Sequence, residues 1–162
     1  MAEKKEKDHL FAKEMLYILS VGFYGGLFTS FLAYLAYLIN FVPFGPGVLL
    51  QLFSIRLSPG IEEMVGHMLS ILLISLVSIG SSYLYFMLFR HLESIWIGVL
   101  YGLAWWAVIF FGLNSLIPGV QSVRQLGLNT NTVFLSLFIL YGLFIGYSIS
   151  FNHKEMELER KR

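Results

Sequence analysis

The ionisable side chains nearest to a long apolar segment are two acids and a histidine, Glu62, Glu63 and His67. Glu63 and His67 are four residues apart, so a helix places them on the same face. A carboxylate beside a histidine can transfer protons, and ionisable groups at membrane depth often serve as proton relays. The pair supplies fewer ligands than a zinc site takes, so the sequence predicts no metal centre.

The same cluster also has a purely structural explanation. Acids in the first turn of a helix are stabilised by its positive dipole end, and water at the membrane surface hydrates them there. A histidine two turns into that helix then needs only a hydrogen bond to a neighbouring group. The sequence favours this structural interpretation and leaves the functional one open.

The structural elements that carry these residues can be inferred from the composition of the chain, which is unusual. Of the 162 residues, 57% are hydrophobic and 13% are charged, whereas soluble domains have about 45–50% apolar and about 25% charged residues. The formal net charge is +1, and the chain contains no cysteine. These values exclude a soluble globular domain, a disordered chain, a nucleic-acid-binding module, a disulfide framework and a cysteine nucleophile.

Four segments with almost no charge are each long enough to cross a bilayer, which takes about 20 apolar residues in a helix. Apolar residues surround each segment on all sides, as expected for helices in lipid. The first segment is too long for the apolar part of a signal peptide. The sequence therefore predicts an all-α integral membrane protein with four transmembrane helices in an antiparallel bundle. The predicted spans are residues 16–40, 62–89, 94–117 and 132–152.

Basic residues flank these spans unevenly. The tail at residues 1–15, the connection between the second and third spans, and the tail at 153–162 contain nine of the eleven lysines and arginines. The other two connections contain only Arg56 and Arg124. Connections rich in lysine and arginine stay in the cytoplasm. Both termini are therefore predicted to be cytoplasmic, in a multi-pass protein of the plasma membrane.

The outer loop, residues 43–60, is apolar for a connection, and it fits either a short helix in the membrane interface or a loop packed over the bundle.

Short segments of the chain also recur at a constant spacing. The tripeptide at 46–48 recurs 72 residues later at 118–120, and Gly26 matches Gly98 at the same spacing. The match indicates either a parallel repeat, as in some transporters, or chance similarity among residues that membrane helices use often.

Small residues at intervals of four occur in three of the four spans. Such spacing lets two helix backbones approach closely. We predict that these residues line seams inside the bundle, although the same pattern also serves contacts with a second copy or with another membrane protein. The candidates for helix packing are Gly22, Gly26, Ser30, Gly98, Gly102, Gly142 and Gly146.

Two short motifs give the chain a family resemblance. Gly66 and His67 open the second span, and Phe110–Asn114 precedes Pro118, in a chain with a Lys- and Glu-rich start. In these features the chain resembles the YqhR-type membrane proteins of Bacillus-like bacteria over nearly its whole length. It is more loosely similar to the YagU-like inner-membrane proteins. The resemblance implies a bacterial plasma-membrane protein and assigns no catalytic residue.

Taken together, the residues favour a non-enzymatic accessory or scaffold protein that acts through helix–helix or lipid contacts. The sequence contains no phosphate-binding loop and no metalloprotease motif, and we predict neither an enzymatic activity nor a cofactor. The expected partners are membrane lipids and either a second copy or another membrane protein, with no nucleic acid. One alternative is a small transporter or permeability factor that uses Glu62, Glu63 and His67 at the outer end of the second span. Another is a lipid-headgroup enzyme that uses the same cluster.

Overall fold

All regular secondary structure is helical in the part of the chain that the computed structural model describes, and that part contains no strand. The helices are α1 (Ala2–Leu38), α2 (Val48–Leu52), α3 (Glu62–Phe89), α4 (Ile95–Ala107) and α5 (Gly127–Arg160), and a π-helical segment, Val108–Leu113, continues α4. The described backbone comprises residues 2–52, 62–90, 92, 94–113 and 126–160, and the described side chains are those of 9–50, 64–90, 92, 94–112 and 126–158.

Four of these helices are long and apolar enough to cross a membrane. All four prolines of the chain lie in the connections, so none interrupts these helices. A helix pairs its backbone N–H and C=O groups within itself, as a segment surrounded by lipid must. The four segments are His9–Leu38, Met64–Phe89, Ile95–Gly112 and Gly127–Leu158.

The helices at the two ends of the chain are longer than the predicted spans. Helix α1 begins at Ala2, and α5 extends from Gly127 to Arg160. Lysine and glutamate, which dominate both tails, are good helix formers, so each helix continues past its apolar segment. Residues 114–117 of the third predicted span and the recurring tripeptide at 118–120 lie outside the described residues.

Helix α1 ends in a tight turn that directs the chain back over the bundle. Asn40 has a φ of 57°, and the Asn40 N–H donates to the Tyr37 carbonyl at 2.9 Å. The Phe41 N–H donates to the Ala36 carbonyl, also at 2.9 Å. These two bonds form a Schellman motif, in which a left-handed residue, commonly Gly or Asn, satisfies the last carbonyls of a helix. The outer loop therefore starts with a fixed direction.

The long helices associate as two close pairs, α1 with α3 and α4 with α5, and α1 also packs against α5. Two apolar clusters fill the spaces between them. The cluster nearer the charged tails consists of Ile18, Val21, Tyr85, Phe86, Tyr101, Tyr141, Ile145 and Ile149. The cluster nearer the outer loop consists of Val42, Phe110, Leu126 and Phe134.

Candidate functional site

His67 is buried at the point where the outer loop returns to the helices. Its Nδ1 accepts a hydrogen bond from the Gly47 N–H at 2.9 Å. The rings of Tyr34 and Tyr37 each have their centroids 4.8 Å from that of the imidazole. A Cβ on Gly45 would lie only 2.7 Å from His67 Cε1. The histidine therefore positions the start of the outer loop against α1 and α3.

This hydrogen bond also determines which imidazole nitrogen is unprotonated. Because Nδ1 of His67 accepts a hydrogen bond from the Gly47 N–H, a neutral ring carries its own proton on Nε2. Protonation of Nδ1 would break the contact with the loop. Glu62 and Glu63 lie in the first described turn of α3, and their side chains lie outside the described residues.

The outer loop combines a short helix with packing over the bundle. The N–H groups of Val48 and Leu49 donate to the carbonyls of Gly45 and Pro46, at 3.2 and 3.0 Å, and so begin α2. Leu50 is buried, and α2 contacts α3. The loop thus has features of both predicted alternatives up to Leu52, and residues 53–60 lie outside the described part.

Glycines of α4 and α5 bring the two backbones into direct contact. A Cβ on Gly142 would meet the carbonyl oxygen of Gly98 and would lie 2.5 Å from the backbone nitrogen of Gly102. A Cβ on Gly146 would lie 2.9 Å from Gly98 Cα, and one on Gly102 would meet the carbonyl oxygen of Phe138. Because the opposing atoms belong to backbone, no side chain can move aside to make room. We call this contact the α4–α5 seam.

Small residues of α1 face α3 in a similar way. A Cβ on Gly22 would lie 2.8 Å from Ile79 Cα, and one on Gly26 would lie 2.9 Å from Ser75 Cα. Ser30 is buried on α1, and its hydroxyl donates to the Gly26 carbonyl at 2.6 Å. Gly22 and Gly26 therefore lie where α1 approaches α3 within the chain, and the hydrogen bond of Ser30 stays within α1.

Buried hydroxyl groups link α3 to the second helix pair. The hydroxyls of Ser78 and Tyr141 are 2.7 Å apart, as are those of Ser81 and Tyr101. The Tyr101 hydroxyl lies 2.6 Å from the Ser81 carbonyl and donates to it, so Ser81 Oγ donates in the hydroxyl contact. Such bonds satisfy polar groups that lipid would leave without partners.

A second acid–histidine pair, which the sequence reasoning missed, joins the first and last long helices. Glu14 and His153 are both buried, and Glu14 Oε1 lies 2.6 Å from His153 Nδ1. The Phe86 ring meets the imidazole edge-on, with centroids 5.8 Å apart. Glu157 Oε1 lies 3.9 Å from His153 Nε2. The arrangement pairs a carboxylate with an imidazole at a position shielded from water.

The sequence did indicate that both residues of this pair are buried, because each continues the buried face of its helix. Glu14 precedes the buried residues Ile18 and Val21 by four and seven positions, so all three share one face of α1. His153 follows Ile149 at the same four-residue spacing on α5. An acid and a histidine that continue buried apolar faces require partners.

The comparisons with known proteins agree on one family. The family of the conserved membrane protein YqhR matches the chain over residues 1–162. The YqhR protein of Bacillus subtilis (strain 168) is 41% identical over 143 residues, which are 88% of this chain and 79% of the relative. No solved structure matches the chain. The predicted resemblance to YqhR-type proteins is confirmed.

Proposed function

We propose, since the chain belongs to the YqhR family of conserved membrane proteins, that it is a non-enzymatic accessory or scaffold protein of the bacterial plasma membrane. It acts through contacts of its assembled helices with lipids and with a membrane-protein partner. The observation that carries this proposal is the α4–α5 seam, where Gly98, Gly102 and Gly142 leave no space between two backbones. The seam fixes α4 and α5 as one rigid pair, which can present a constant outer surface to lipids and to a partner.

The outer surface supports a role in contacts. Large apolar side chains are exposed along all four long helices, among them Phe28, Met87, Trp96 and Tyr147. In a membrane protein such side chains face acyl chains or a neighbouring protein. The surface thus offers an extended apolar area to lipids and partners.

The proposed topology is an antiparallel bundle with both termini in the cytoplasm. It is supported by the order of the contacts between α1 and α3: Gly22 faces Ile79, whereas Gly26, later in α1, faces Ser75, earlier in α3. The basic tails support the cytoplasmic side for both ends.

Reporter fusions test this topology. Alkaline phosphatase, which is active only outside the cytoplasm, is expected to be inactive when fused to either terminus and active when inserted after Arg56 in the outer loop. Green fluorescent protein at each terminus is expected to fluoresce. Phosphatase activity at either terminus would contradict the cytoplasmic location of that end.

A small transporter or permeability factor that uses Glu62, Glu63 and His67 is the second candidate. Burial of His67 beside two tyrosine rings favours it, because buried ionisable groups often move protons. The matched residues Gly26 and Gly98 also favour it, since each faces the next long helix, as two copies of a duplicated hairpin would.

Substitutions of His67 distinguish the two candidates. In His67→Asn, the side-chain oxygen can replace Nδ1 as the acceptor for the Gly47 N–H, but the residue no longer titrates. We expect this variant to complement a gene deletion as well as the wild type does. His67→Ala removes the acceptor and is expected to lower the stability by about 1–3 kcal/mol, measured by thermal unfolding in detergent.

Glu63→Gln is the companion variant, and it is also expected to complement. Protein levels in the membrane, measured by immunoblot, serve as the control for each variant. If neither His67→Asn nor Glu63→Gln complements the gene deletion although both are present at normal levels, the scaffold proposal fails. Proton-coupled transport then takes its place.

A further inference from the structure

A small cavity opens between the start of α4 and the end of α5, at the end of the bundle that carries the charged tails. Its volume is about 150 Å³, and a cavity of about that size accepts a benzene-sized group. The residues that line it include Ser94 and Ser150, whose side chains carry hydroxyl groups, and Lys154, whose side chain carries an ammonium group. These groups are hydrogen-bond donors beside a positive charge, which suits an anionic oxygen ligand.

Apolar side chains form the remaining walls of the cavity. Tyr147 and Phe151 stack with ring centroids 5.9 Å apart and an interplanar angle of 18°. Both rings are exposed, as is Ile95 on the opposite wall. The cavity therefore opens among side chains that face lipid when the helices lie in a membrane. Trp96, beside it on α4, is also exposed, and tryptophan is enriched at the membrane–water interface.

We propose that this cavity binds the phosphate group of an anionic phospholipid. Lys154 neutralises the phosphate charge, and the hydroxyls of Ser94 and Ser150 donate hydrogen bonds to its oxygens. In the structure Ser150 Oγ donates a long bond, 3.4 Å, to the Leu92 carbonyl, and a phosphate oxygen is a stronger acceptor.

The apolar walls distinguish a phospholipid from free phosphate. An acyl chain can lie along Ile95, Tyr147 and Phe151, whereas a free anion gains nothing from these side chains. Anionic lipids are also concentrated at the cytoplasmic surface, where basic segments attract them. The inference rests on the proposed function for the lipid contact and for the side of the membrane on which the cavity lies.

Native mass spectrometry of the full-length protein in detergent tests this site. Phosphatidylglycerol is expected to bind more tightly than phosphatidylcholine, and Lys154→Gln is expected to weaken binding of phosphatidylglycerol by about fivefold. Lys13→Gln is the matched control, because it removes the same charge at the same end of the bundle from α1. It is expected to leave the affinity unchanged.

A second variant tests the cavity without altering charge. Ser94→Phe places a ring at the cavity mouth, and Ser94 is exposed before α4, so the fold is expected to persist. Binding of phosphatidylglycerol is expected to fall as in Lys154→Gln. Equal affinity for the two lipids, equal losses in the Lys13 and Lys154 variants, or undiminished binding by Ser94→Phe would each overturn the site.

Glycerol 1-phosphate supplies the final comparison. We expect it to displace no bound phosphatidylglycerol at equal concentration, because it lacks acyl chains. Displacement would identify a soluble phosphate ester as the occupant and overturn the assignment to lipid. None of these results affects the complementation by His67→Asn, so failure of the lipid site and failure of the scaffold proposal are distinguishable.

Discussion

Gly142→Ala is expected to destabilise the protein, whereas Gly80→Ala is expected to stabilise it slightly. The new methyl group at Gly142 would meet the Gly98 carbonyl oxygen and would lie 2.7 Å from Gly102 Cα. Overpacking of this kind costs about 1–3 kcal/mol. It exceeds the gain of about 0.5–1 kcal/mol from replacing a helical glycine by alanine. At Gly80 an added Cβ would have no heavy atom of the described residues within 4 Å beyond its own stretch of helix, so only that gain remains.

Thermal unfolding of the two variants in one detergent measures this difference. Each kcal/mol corresponds to about 2–4 °C in Tm for a chain of this size. The leucine variants enlarge the effect. We expect no folded protein in the membrane for Gly142→Leu, whereas folded protein is expected to remain there for Gly80→Leu. Equal Tm values for the two alanine variants would show that the α4–α5 seam does not hold the helices together.

Breaking the Glu14–His153 pair from one side is expected to destabilise the protein more than removing both partners. In Glu14→Leu the buried His153 Nδ1 loses a carboxylate at 2.6 Å. A buried polar group that loses its partner costs about 1–3 kcal/mol, whereas apolar replacement of both partners is nearly neutral. The double variant Glu14→Leu/His153→Leu is therefore expected to recover most of the lost stability.

A double-mutant cycle, measured by thermal unfolding, isolates this coupling. Glu157→Gln is the control, because Glu157 is exposed and its carboxylate lies 3.9 Å from His153 Nε2. We expect the control to change the stability little. If the effects of the two single leucine substitutions simply add in the double variant, the pair contributes no coupling energy.

The four long helices could be predicted because a bilayer imposes a simple requirement on composition. About 20 consecutive apolar residues reveal a span without knowledge of its neighbours. The extent of each helix is a different property: Ala2–Leu38 exceeds the first predicted span because lysine and glutamate continue a helix into water. The π-helical turn at Val108–Leu113 has no counterpart in the apolar pattern.

The candidate sites differ in how far local spacing could identify them. His67 was conspicuous because it interrupts an apolar segment, but its partner Gly47 is 20 residues away and contributes only a backbone N–H, which no residue type reveals. Glu14 and His153 are 139 residues apart. Their helical phases indicated burial, whereas their proximity depends on how α1 packs against α5, which a single sequence does not specify.

The contact between Glu14 and His153 also has a consequence for biosynthesis. The ribosome adds His153 139 residues after Glu14, so the first helix enters the membrane long before its histidine partner exists. Until α5 is synthesised, Glu14 therefore lacks its contact with His153. The burial of both side chains is completed only when the last helix packs against the first.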